Sequence, residues 1–242
     1  MTLVIAEVGV NHNGDIKLAK ELIEAAKYAG ADIVKFQTFK TELGVTENTP
    51  VAPYQKKNNS QIKNQYELIK NLELNYESFY ELKEHADNLQ IEFLSTAFDI
   101  PSIRFLDDLN LKRYKLPSGE IDNFPYLREI AKTGKPIILS TGMSDLGRIE
   151  FALNTLIKYG TSKENITVLH CVSQYPVPIK HANLNAMNTI SDAFKVMRES
   201  NKNAEIVISD IDPKGFQCVL NFSYQNLYIN LCNECLSSIQ IN

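Results

Sequence analysis

The sequence predicts an α/β protein whose parallel strands form a (β/α) barrel. Short β-rich runs alternate with segments of helical periodicity, and six such units fill about 190 of the 242 residues. Repeated strand–helix alternation implies parallel strands joined by right-handed crossovers. The alternative is an open, doubly wound sheet, but no glycine-rich dinucleotide-binding loop follows the first strand. The length also suits a barrel, which typically needs about 250 residues.

Each element follows from its residue pattern. The predicted strands are Leu3–Val8, Ile33–Thr38, Glu92–Ala97, Arg113–Leu116, Pro136–Ser140 and Thr167–Val172, with a weaker seventh at Glu205–Ser209. The predicted helices are Ile16–Ala29, Gln65–Leu72, Tyr76–Leu89, Pro101–Leu109, Pro125–Lys132 and Leu146–Tyr159. The first helix places its apolar residues on one face, and Gly30 follows it as a C-cap. Pro101 suits the first turn of a helix.

The segment Thr41–Asn64 is too long for an ordinary connection between a strand and a helix. It is polar and contains two prolines, two adjacent lysines and several asparagines. Two interpretations stay open, a lid or substrate-binding loop and a plain surface insertion.

Composition excludes several classes of function. The net charge of −4 favours neither a nucleic-acid partner nor an anionic membrane. No apolar run reaches the roughly 18 residues of a membrane span, and the N-terminus lacks a signal-peptide pattern. We therefore expect a cytoplasmic protein. Cys171 is expected to be an inert core thiol, whereas Cys232 and Cys235 form a CxxC pair with no second pair or nearby histidine, which argues against zinc.

Polar residues recur where each predicted strand ends. Six consecutive strands carry them: Glu7; Lys35 and Gln37; Thr96, with Phe98 beside it; Lys115, Ser118 and Glu120; Ser140 and Thr141; and Ser173, Gln174 and Tyr175. In a barrel these strand ends share one mouth, so the pattern predicts a ring of polar groups around it. Two lysines and several hydroxyls on one rim suit a ligand that carries phosphate and carboxylate.

Most of these residues also have a purely structural interpretation when taken singly. Glu7 alone would more often be a structural carboxylate. Ser118 is compatible with a simple turn, and Ser140 with a helix entry. His12 is as consistent with a loop or capping role as with a ligand, and His170 fits a core histidine with satisfied hydrogen bonds.

Lys35 is the strongest single indication of function. It interrupts the apolar run formed by Ile33, Val34 and Phe36, where a solvated lysine is hard to place. We therefore interpret Lys35 as part of a binding site.

The sequence resembles the sialic acid synthases, a family that includes the N-acetylneuraminate, legionaminate and pseudaminate synthases. The resemblance runs from about Val4 to Ala193 and rests on six segments in the family's order: IAEVGVNHNG, AGADIVKFQTFK, FLSTAFD, YKLPSGE, KPIILSTGMS and LHCVSQYPVP. It implies a (β/α)8 barrel of the TIM type, usually followed by a small antifreeze-like domain. It also implies condensation of phosphoenolpyruvate with the open aldehyde form of an N-acylated hexosamine, giving a nine-carbon 2-keto acid and phosphate. A divalent metal, Mn²⁺ or Mg²⁺, would polarise the aldehyde.

The resemblance also implies roles for the residues at the strand ends. Lys35 and Lys115 would hold the phosphate and carboxylate of phosphoenolpyruvate. Hydrogen bonds to the same ligand would come from Thr96, Ser118, Ser140 and Ser173. The sugar would face Glu7, Gln37 and Tyr175, with Phe98 also among the substrate-binding residues. Glu120 is a candidate for activating the water that attacks C2 of the intermediate.

The chain departs from the family pattern after about Ala193. The family's metal ligands would lie in a G-x-S-D-H-T motif after strand seven and an E-K-H-F-T motif in strand eight. Ser209 and Asp210 fit the first motif, and Ser209 is predicted to bind substrate, but Ile211 stands at the histidine position. No histidine follows His181, so we assign no metal ligand.

These patterns predict a synthase-like barrel over residues 1–210 and a divergent tail over 211–242, without the antifreeze-like domain. The tail suggests a truncated, frame-shifted or genuinely divergent sequence. Leu227–Leu231 is a weak candidate for an eighth strand, so the barrel is expected to be incomplete or irregular after strand 7.

The predicted function is that of a phosphoenolpyruvate-dependent, metal-dependent transferase of sialic-acid-type biosynthesis, acting on N-acetylmannosamine or a related sugar. Family members commonly form dimers, so a homodimer is possible. Two alternatives stay open, a catalytically inactive synthase-like barrel and another phosphoenolpyruvate-condensing enzyme such as an octulosonate synthase.

Overall fold

The computed structural model describes residues 3–50, 64–173 and 178–194, together with the backbone of three strands farther along the chain. The strands are β1 Val4–Gly9, β2 Ile33–Thr38, β3 Glu92–Ala97, β4 Tyr114–Leu116, β5 Ile137–Ser140, β6 Ile166–Cys171, β7 Ile206–Ser209, β8 Asn221–Phe222 and β9 Leu227–Leu231. The helices are α1 Ile16–Tyr28, α2 Thr41–Gly44, α3 Gln65–Lys70, α4 Tyr76–Asn88, α5 Ile100–Asp108, α6 Phe124–Ala131, α7 Leu146–Tyr159 and α8 Ala186–Ala193.

The strands form one sheet in the order β7-β6-β5-β4-β3-β2-β1-β9-β8. Every neighbouring pair from β1 to β7 is parallel. β9 also pairs in parallel with β1, on the side opposite β2. Some Cα atoms of β7 lie within 8 Å of Cα atoms in both β8 and β9, so the sheet curves back on itself. The α/β barrel predicted from the sequence is confirmed.

The closure after β7 is irregular, as expected. β8 is only two residues long and runs antiparallel to β9. The weak candidate Leu227–Leu231 is a strand of those bounds, and it pairs Val4 with Ile229. The apolar run therefore did indicate a strand. The connection from β8 to β9 is too short to contain a helix, unlike the connections between the earlier strands.

The two faces of the sheet form two separate apolar clusters. The larger one packs the outward residues of the strands against the helices, with Ala6, Val34 and Phe36 among its members. The smaller one consists of Ile5, Ile33, Leu94, Ile138 and Leu169. The residues of the smaller cluster come from strands alone, so they fill the barrel interior, as expected from the alternation of side chains along a strand.

The helices begin where the sequence places capping residues. The side chains of Asp15, Asn64, Asn75, Asp99, Asn123 and Asp145 accept hydrogen bonds from the first turns of α1 and α3–α7. Asp99 also accepts a hydrogen bond from the backbone N–H of Lys40 at 2.8 Å. This bond ties the end of β2 to the start of α5. Within the described part of the chain, no helix is long and apolar enough to cross a membrane.

The Asn11–Gly14 loop after β1 is held by two buried contacts. The His12 ring is 1% exposed, stacks on Phe36, and accepts a hydrogen bond from the Gly14 N–H through Nδ1 at 3.1 Å. Gly14 has φ +77°, and a β-carbon there would lie only 2.5 Å from the carbonyl oxygen of Asn71. Of the interpretations left open for His12, its contacts support the loop role. His170 is the satisfied core histidine that we predicted, since it is buried with Nε2 2.9 Å from the Ala182 carbonyl oxygen.

The polar segment at 41–64 falls only partly within the described residues. Its first four residues form α2, where Thr41 is buried. Residues 51–63 lie outside the described residues, so the choice between a lid and an insertion stays open there.

We expect His12 to make the fold acid-labile, because burial lowers the pKa of its imidazole from 6.5 to about 4. The unfolded chain then binds a proton more readily than the folded one, so stability falls as the pH drops from 6.5 towards 4, by up to about 3 kcal/mol. Urea unfolding of the wild type and of His12→Phe at pH 7.5, 6 and 5 would measure this loss.

The variant should lack this component of the pH dependence whatever its absolute stability. His85→Gln, at the surface beside Glu24, is the matched control and should keep it. A pH dependence in His12→Phe equal to that of the wild type would contradict the prediction.

Candidate functional site

The centre of the site is a buried ion pair between Glu7 and Lys35. The two residues are directly paired in the register of β1 and β2, and their side chains are 10% and 9% exposed. Glu7 Oε2 contacts the Lys35 ammonium, and no other donor in the described part of the chain reaches this oxygen. Two charges withdrawn from water in this way are costly to bury, so their retention inside a barrel needs a reason.

A second lysine, Lys115 on β4, lies near enough to this pair for the charges of Glu7 and Lys35 to act on it. We call these three side chains the charged layer. The Lys115 ammonium donates hydrogen bonds to the Leu116 carbonyl oxygen at 2.9 Å and to Ser140 Oγ at 2.5 Å. The pKa of this ammonium is lowered to about 8, mainly by burial; the positive charge of Lys35 adds to the lowering, and the carboxylate of Glu7 opposes it. Two ammonium groups that repel each other in a confined space create a strong attraction for an anion.

Cys171 borders this layer as well. It packs partly against the inner apolar cluster, as an inert core thiol would, but its Sγ donates to Ser140 Oγ at 3.4 Å. Ser140 therefore lies between the thiol of β6 and the ammonium of β4. The other predicted thiol pair, Cys232 and Cys235, lies outside the described residues.

Gly142 brings two further hydroxyls together. A β-carbon at this position would collide with Ser173 Oγ and lie 3.0 Å from Ser118 Oγ. The loops after β4, β5 and β6 therefore converge there, and only a glycine leaves room for both hydroxyls. This convergence could not be read from the spacing of the three residues in the sequence.

Two of the sugar-binding residues predicted from the resemblance, Glu7 and Gln37, lie close together next to Lys35. At Gly9, with φ +58°, a β-carbon would lie 3.2 Å from Glu7 Oε1 and 3.4 Å from Gln37 Nε2, so the carboxylate and the amide share one corner. Gln37, Phe98 and Glu120 line a cavity of about 370 Å³. Glu120 accepts a hydrogen bond from Asn123 Nδ2, which fixes its carboxylate at the cavity edge.

The remaining predicted residues are placed as follows. Thr96 is buried on β3. It pairs with Gln37 of β2 on one side and with Lys115 of β4 on the other. Ser209 pairs with Cys171 in the register of β7 and β6. Tyr175 lies outside the described residues. The roles of all these residues stay predictions, although the structure does gather most of them at one end of the barrel.

Sequence reasoning missed the residues of α3 that face the cavity. Gln65, Leu68 and Ile69 line it, together with Leu72 just beyond the helix. The helical spacing of the three apolar residues was the available signal, but it is equally typical of a helix that packs on a core.

The described residues do not fit a divalent metal. No three His, Cys, Asp or Glu side chains among them lie close enough together to hold one. The Glu7 carboxylate faces an ammonium, and His170 Nε2 faces a carbonyl oxygen. We therefore derive no step through a metal.

We expect Lys115→Met to stabilise the protein at pH 7. The pKa of Lys115 is about 8 in the fold and 10.5 when unperturbed, so the charged form is penalised below pH 8 and the penalty disappears between pH 8 and 10.5. The gain in free energy of unfolding is at most about 3 kcal/mol, reduced by the two lost hydrogen bonds and by partial contact with water.

Urea unfolding of both proteins at pH 7 and pH 9.5 would test this, since the difference between them should shrink at the higher pH. The control is Lys83→Met, at the surface beside Asp87, which should change stability little at either pH. A Lys115→Met protein less stable than the wild type at pH 7 would contradict the prediction.

Comparison with known proteins identifies relatives of this chain. Residues 22–198 match the model of the NeuB family. The N,N'-diacetyllegionaminic acid synthase of Campylobacter jejuni is 52% identical over 195 residues, which are 81% of this chain and 58% of that protein. The human N-acetylneuraminate-9-phosphate synthase is 33% identical, over 79% of this chain and 52% of that protein. The chain thus spans little more than half the length of these curated relatives.

A solved structure shares both fold and sequence with this chain. It is the N-acetylneuraminic acid synthetase of Leptospira borgpetersenii in complex with citrate, with a TM-score of 0.73 and 31% identity. The match covers 87% of this chain and 65% of that one. The family model covers well over half of the sequence, and so this chain belongs to the NeuB family.

Proposed function

We propose that this chain forms the barrel of a synthase that condenses phosphoenolpyruvate with an N-acylated hexosamine. The alkene carbon of phosphoenolpyruvate would bond to the aldehyde carbon of the open sugar. Water would add at C2, and loss of phosphate would leave a nine-carbon 2-keto acid. The support comes from membership of the NeuB family and from the charged layer inside the barrel.

The observation that carries the proposal is a pair of lysines at one end of the barrel. Lys35 is paired with Glu7, Lys115 donates to Ser140, and the charge of Lys35 acts on Lys115. With Glu7 ionised and both lysines protonated, these three side chains carry one net positive charge in the empty site. Phosphoenolpyruvate brings a phosphate and a carboxylate, which would relieve the repulsion between the ammonium groups. Lysines with preformed hydroxyl donors act here by positioning and by stabilising charge that moves onto the phosphate.

The remaining residues would have different roles according to where they lie in the site. Ser118 and Ser173, which converge at Gly142, would donate hydrogen bonds to the same anion. Glu7 would hold the Lys35 ammonium in position and would lie next to Gln37 on the sugar side. Glu120, held by Asn123 at the cavity edge, would orient the water that adds at C2.

For the sugar, we propose a diacetamido hexose rather than N-acetylmannosamine. The relative named N,N'-diacetyllegionaminic acid synthase in C. jejuni is 52% identical, and that in Legionella pneumophila is 50% identical. The human N-acetylneuraminate-9-phosphate synthase is 33% identical. The difference in identity supports the diacetamido substrate.

A second candidate function is binding of phosphoenolpyruvate without turnover. The observation that favours it is the lack of a metal-ligand cluster among the described residues. The need for Mn²⁺ or Mg²⁺ stays a prediction from the family resemblance.

The test separates binding from turnover. Calorimetry with phosphoenolpyruvate should show saturable binding to the wild type, and a loss of at least about tenfold in affinity in Lys115→Met, which removes one of two counter-charges. Lys115→Arg, which keeps the positive charge, should retain part of the affinity. Formation of a 2-keto acid from phosphoenolpyruvate and each sugar, with Mn²⁺ present, would then establish turnover.

The possible outcomes differ clearly. Equal affinity of the wild type and Lys115→Met would remove Lys115 from the binding site and sink the proposal. Binding that depends on Lys115 with no keto acid from any N-acylated hexosamine would select the second function.

We further expect Gly142→Ala to weaken phosphoenolpyruvate binding by about tenfold, because the new methyl group displaces Ser118 and Ser173. The control is Gly147→Ala in the first turn of α7, where the nearest atom to the new β-carbon is Asp145 Oδ1 at 3.4 Å. Calorimetry gives the affinities, and urea unfolding shows whether each variant is folded. An unchanged affinity in folded Gly142→Ala would refute the assignment of these hydroxyls.

A further inference from the structure

The cavity beside the charged layer has walls that suit an amide-bearing group. It encloses about 370 Å³ between the mouth of the barrel and the α2–α3 region. Much of its lining is apolar: Val10, Phe39, Val45, Leu68, Ile69, Leu72 and Phe98. At about 30 Å³ for each water molecule, the space corresponds to roughly a dozen waters. This exceeds what one acetamido group needs.

The charged group at the rim of the cavity already has partners within the protein. The Lys40 ammonium lies 3.5 Å from Glu73 Oε1 and 4.0 Å from the centre of the Tyr76 ring. Glu73 also accepts hydrogen bonds from the backbone N–H and the hydroxyl of Thr41, at 3.0 and 2.7 Å. Thr41 therefore already uses its hydroxyl and its backbone N–H within the protein, and Lys40 already has a counter-charge.

One polar atom of the cavity wall has no such partner. Gln65 Oε1 is buried and meets no hydrogen-bond donor in the described residues. A buried acceptor left unpaired costs about 1–3 kcal/mol, so a ligand that supplies an N–H to it gains that much in return. Leu68, Ile69 and Leu72 line the same cavity.

We propose that this cavity binds an acylamino group of the sugar, with its amide N–H donating to Gln65 Oε1 and its methyl group against Leu68, Ile69 and Leu72. An acylamino group combines one donor with an apolar end, which is the combination that the wall offers. Gln37 lines the same cavity and would hold a sugar hydroxyl. The inference rests on the proposed function for the sugar, whereas the fit to an amide rests on the cavity itself.

The experiment compares the binding of sugars that differ only in the acyl group. Affinities of N-acetylmannosamine and of mannosamine are measured for the wild type and for Gln65→Leu, in the presence and absence of phosphoenolpyruvate. We expect the wild type to prefer the acetylated sugar and Gln65→Leu to bind it about tenfold more weakly, with no change for mannosamine. Phosphoenolpyruvate affinity should stay unchanged.

Two further variants separate recognition from a structural effect. Gln65→Glu keeps an acceptor oxygen and should recover part of the affinity for the acetylated sugar. Glu67→Gln, an exposed position on the same helix, should bind both sugars like the wild type. Gln65→Leu should be at least as stable as the wild type, because it removes a buried unpaired oxygen.

The acyl chain itself tests the apolar wall. N-propanoylmannosamine should bind the wild type about as well as the N-acetyl sugar, since its extra methylene stays in apolar surroundings. The N-glycolyl sugar should bind several-fold more weakly, because its hydroxyl would be buried without a partner. In Leu68→Ser the affinities of the N-propanoyl and N-glycolyl sugars should be closer to each other, because the serine hydroxyl can pair with the glycolyl hydroxyl.

Each outcome bears on one proposal. Equal binding of the acetylated sugar by the wild type and Gln65→Leu would overturn the acylamino site. So would binding of phosphoenolpyruvate with no measurable binding of N-acetylmannosamine or of a diacetamido hexose. Sugar binding that depends on Gln65, together with no phosphoenolpyruvate binding, would support the acylamino site and overturn the proposed function instead.

Discussion

The buried pair of Glu7 and Lys35 is the constraint on which the rest of the barrel depends. Charges inside a protein are tolerated only with excellent geometry, and the direct pairing of these residues in the β1–β2 register provides it. Ile5 and Ile33 come two residues earlier on the same strands, so their side chains lie on the same face, and both belong to the inner apolar cluster. The barrel interior thus has an apolar cluster beneath the charged residues. Lys115 adds a second ammonium group beside them, and burial there lowers its pKa.

The charged layer and the cavity beside it are supported by different parts of the fold. Lys35 and Lys115 lie on strands, where backbone hydrogen bonds to neighbouring strands fix their positions. Part of the wall of the cavity belongs instead to α3. This helix is tied to α2 by the Lys70–Glu42 ion pair and by the hydrogen bonds from Thr41 to Glu73 just beyond it. Side chains on paired strands are held rigidly, whereas a helix on the rim can change its side chains without disturbing the strands.

The sequence predicted the strands and helices closely because their periodicity is strong, and the strand-end rule correctly gathered Glu7, Lys35 and Lys115 at one mouth. The sequence did not predict contacts between side chains that are far apart along the chain. The approach of Cys171 to Ser140 and the burial of His12 on Phe36 depend on side chains that meet in space without a signature in spacing. The cavity was invisible for the same reason, since an amphipathic helix is compatible with either a core or a wall.

The pairing of β1 with β9 has a consequence for how the chain folds. Val4 pairs with Ile229, so β1 has a free edge until a strand about 225 residues later has been synthesised. At roughly 5–20 residues per second, that interval lasts about 10–45 s on the ribosome. Unpaired strand edges invite association with other chains, and inward-pointing charges are one protection against it. Glu7 is an inward-pointing charge on β1, so it gives this kind of protection to the edge that waits for β9.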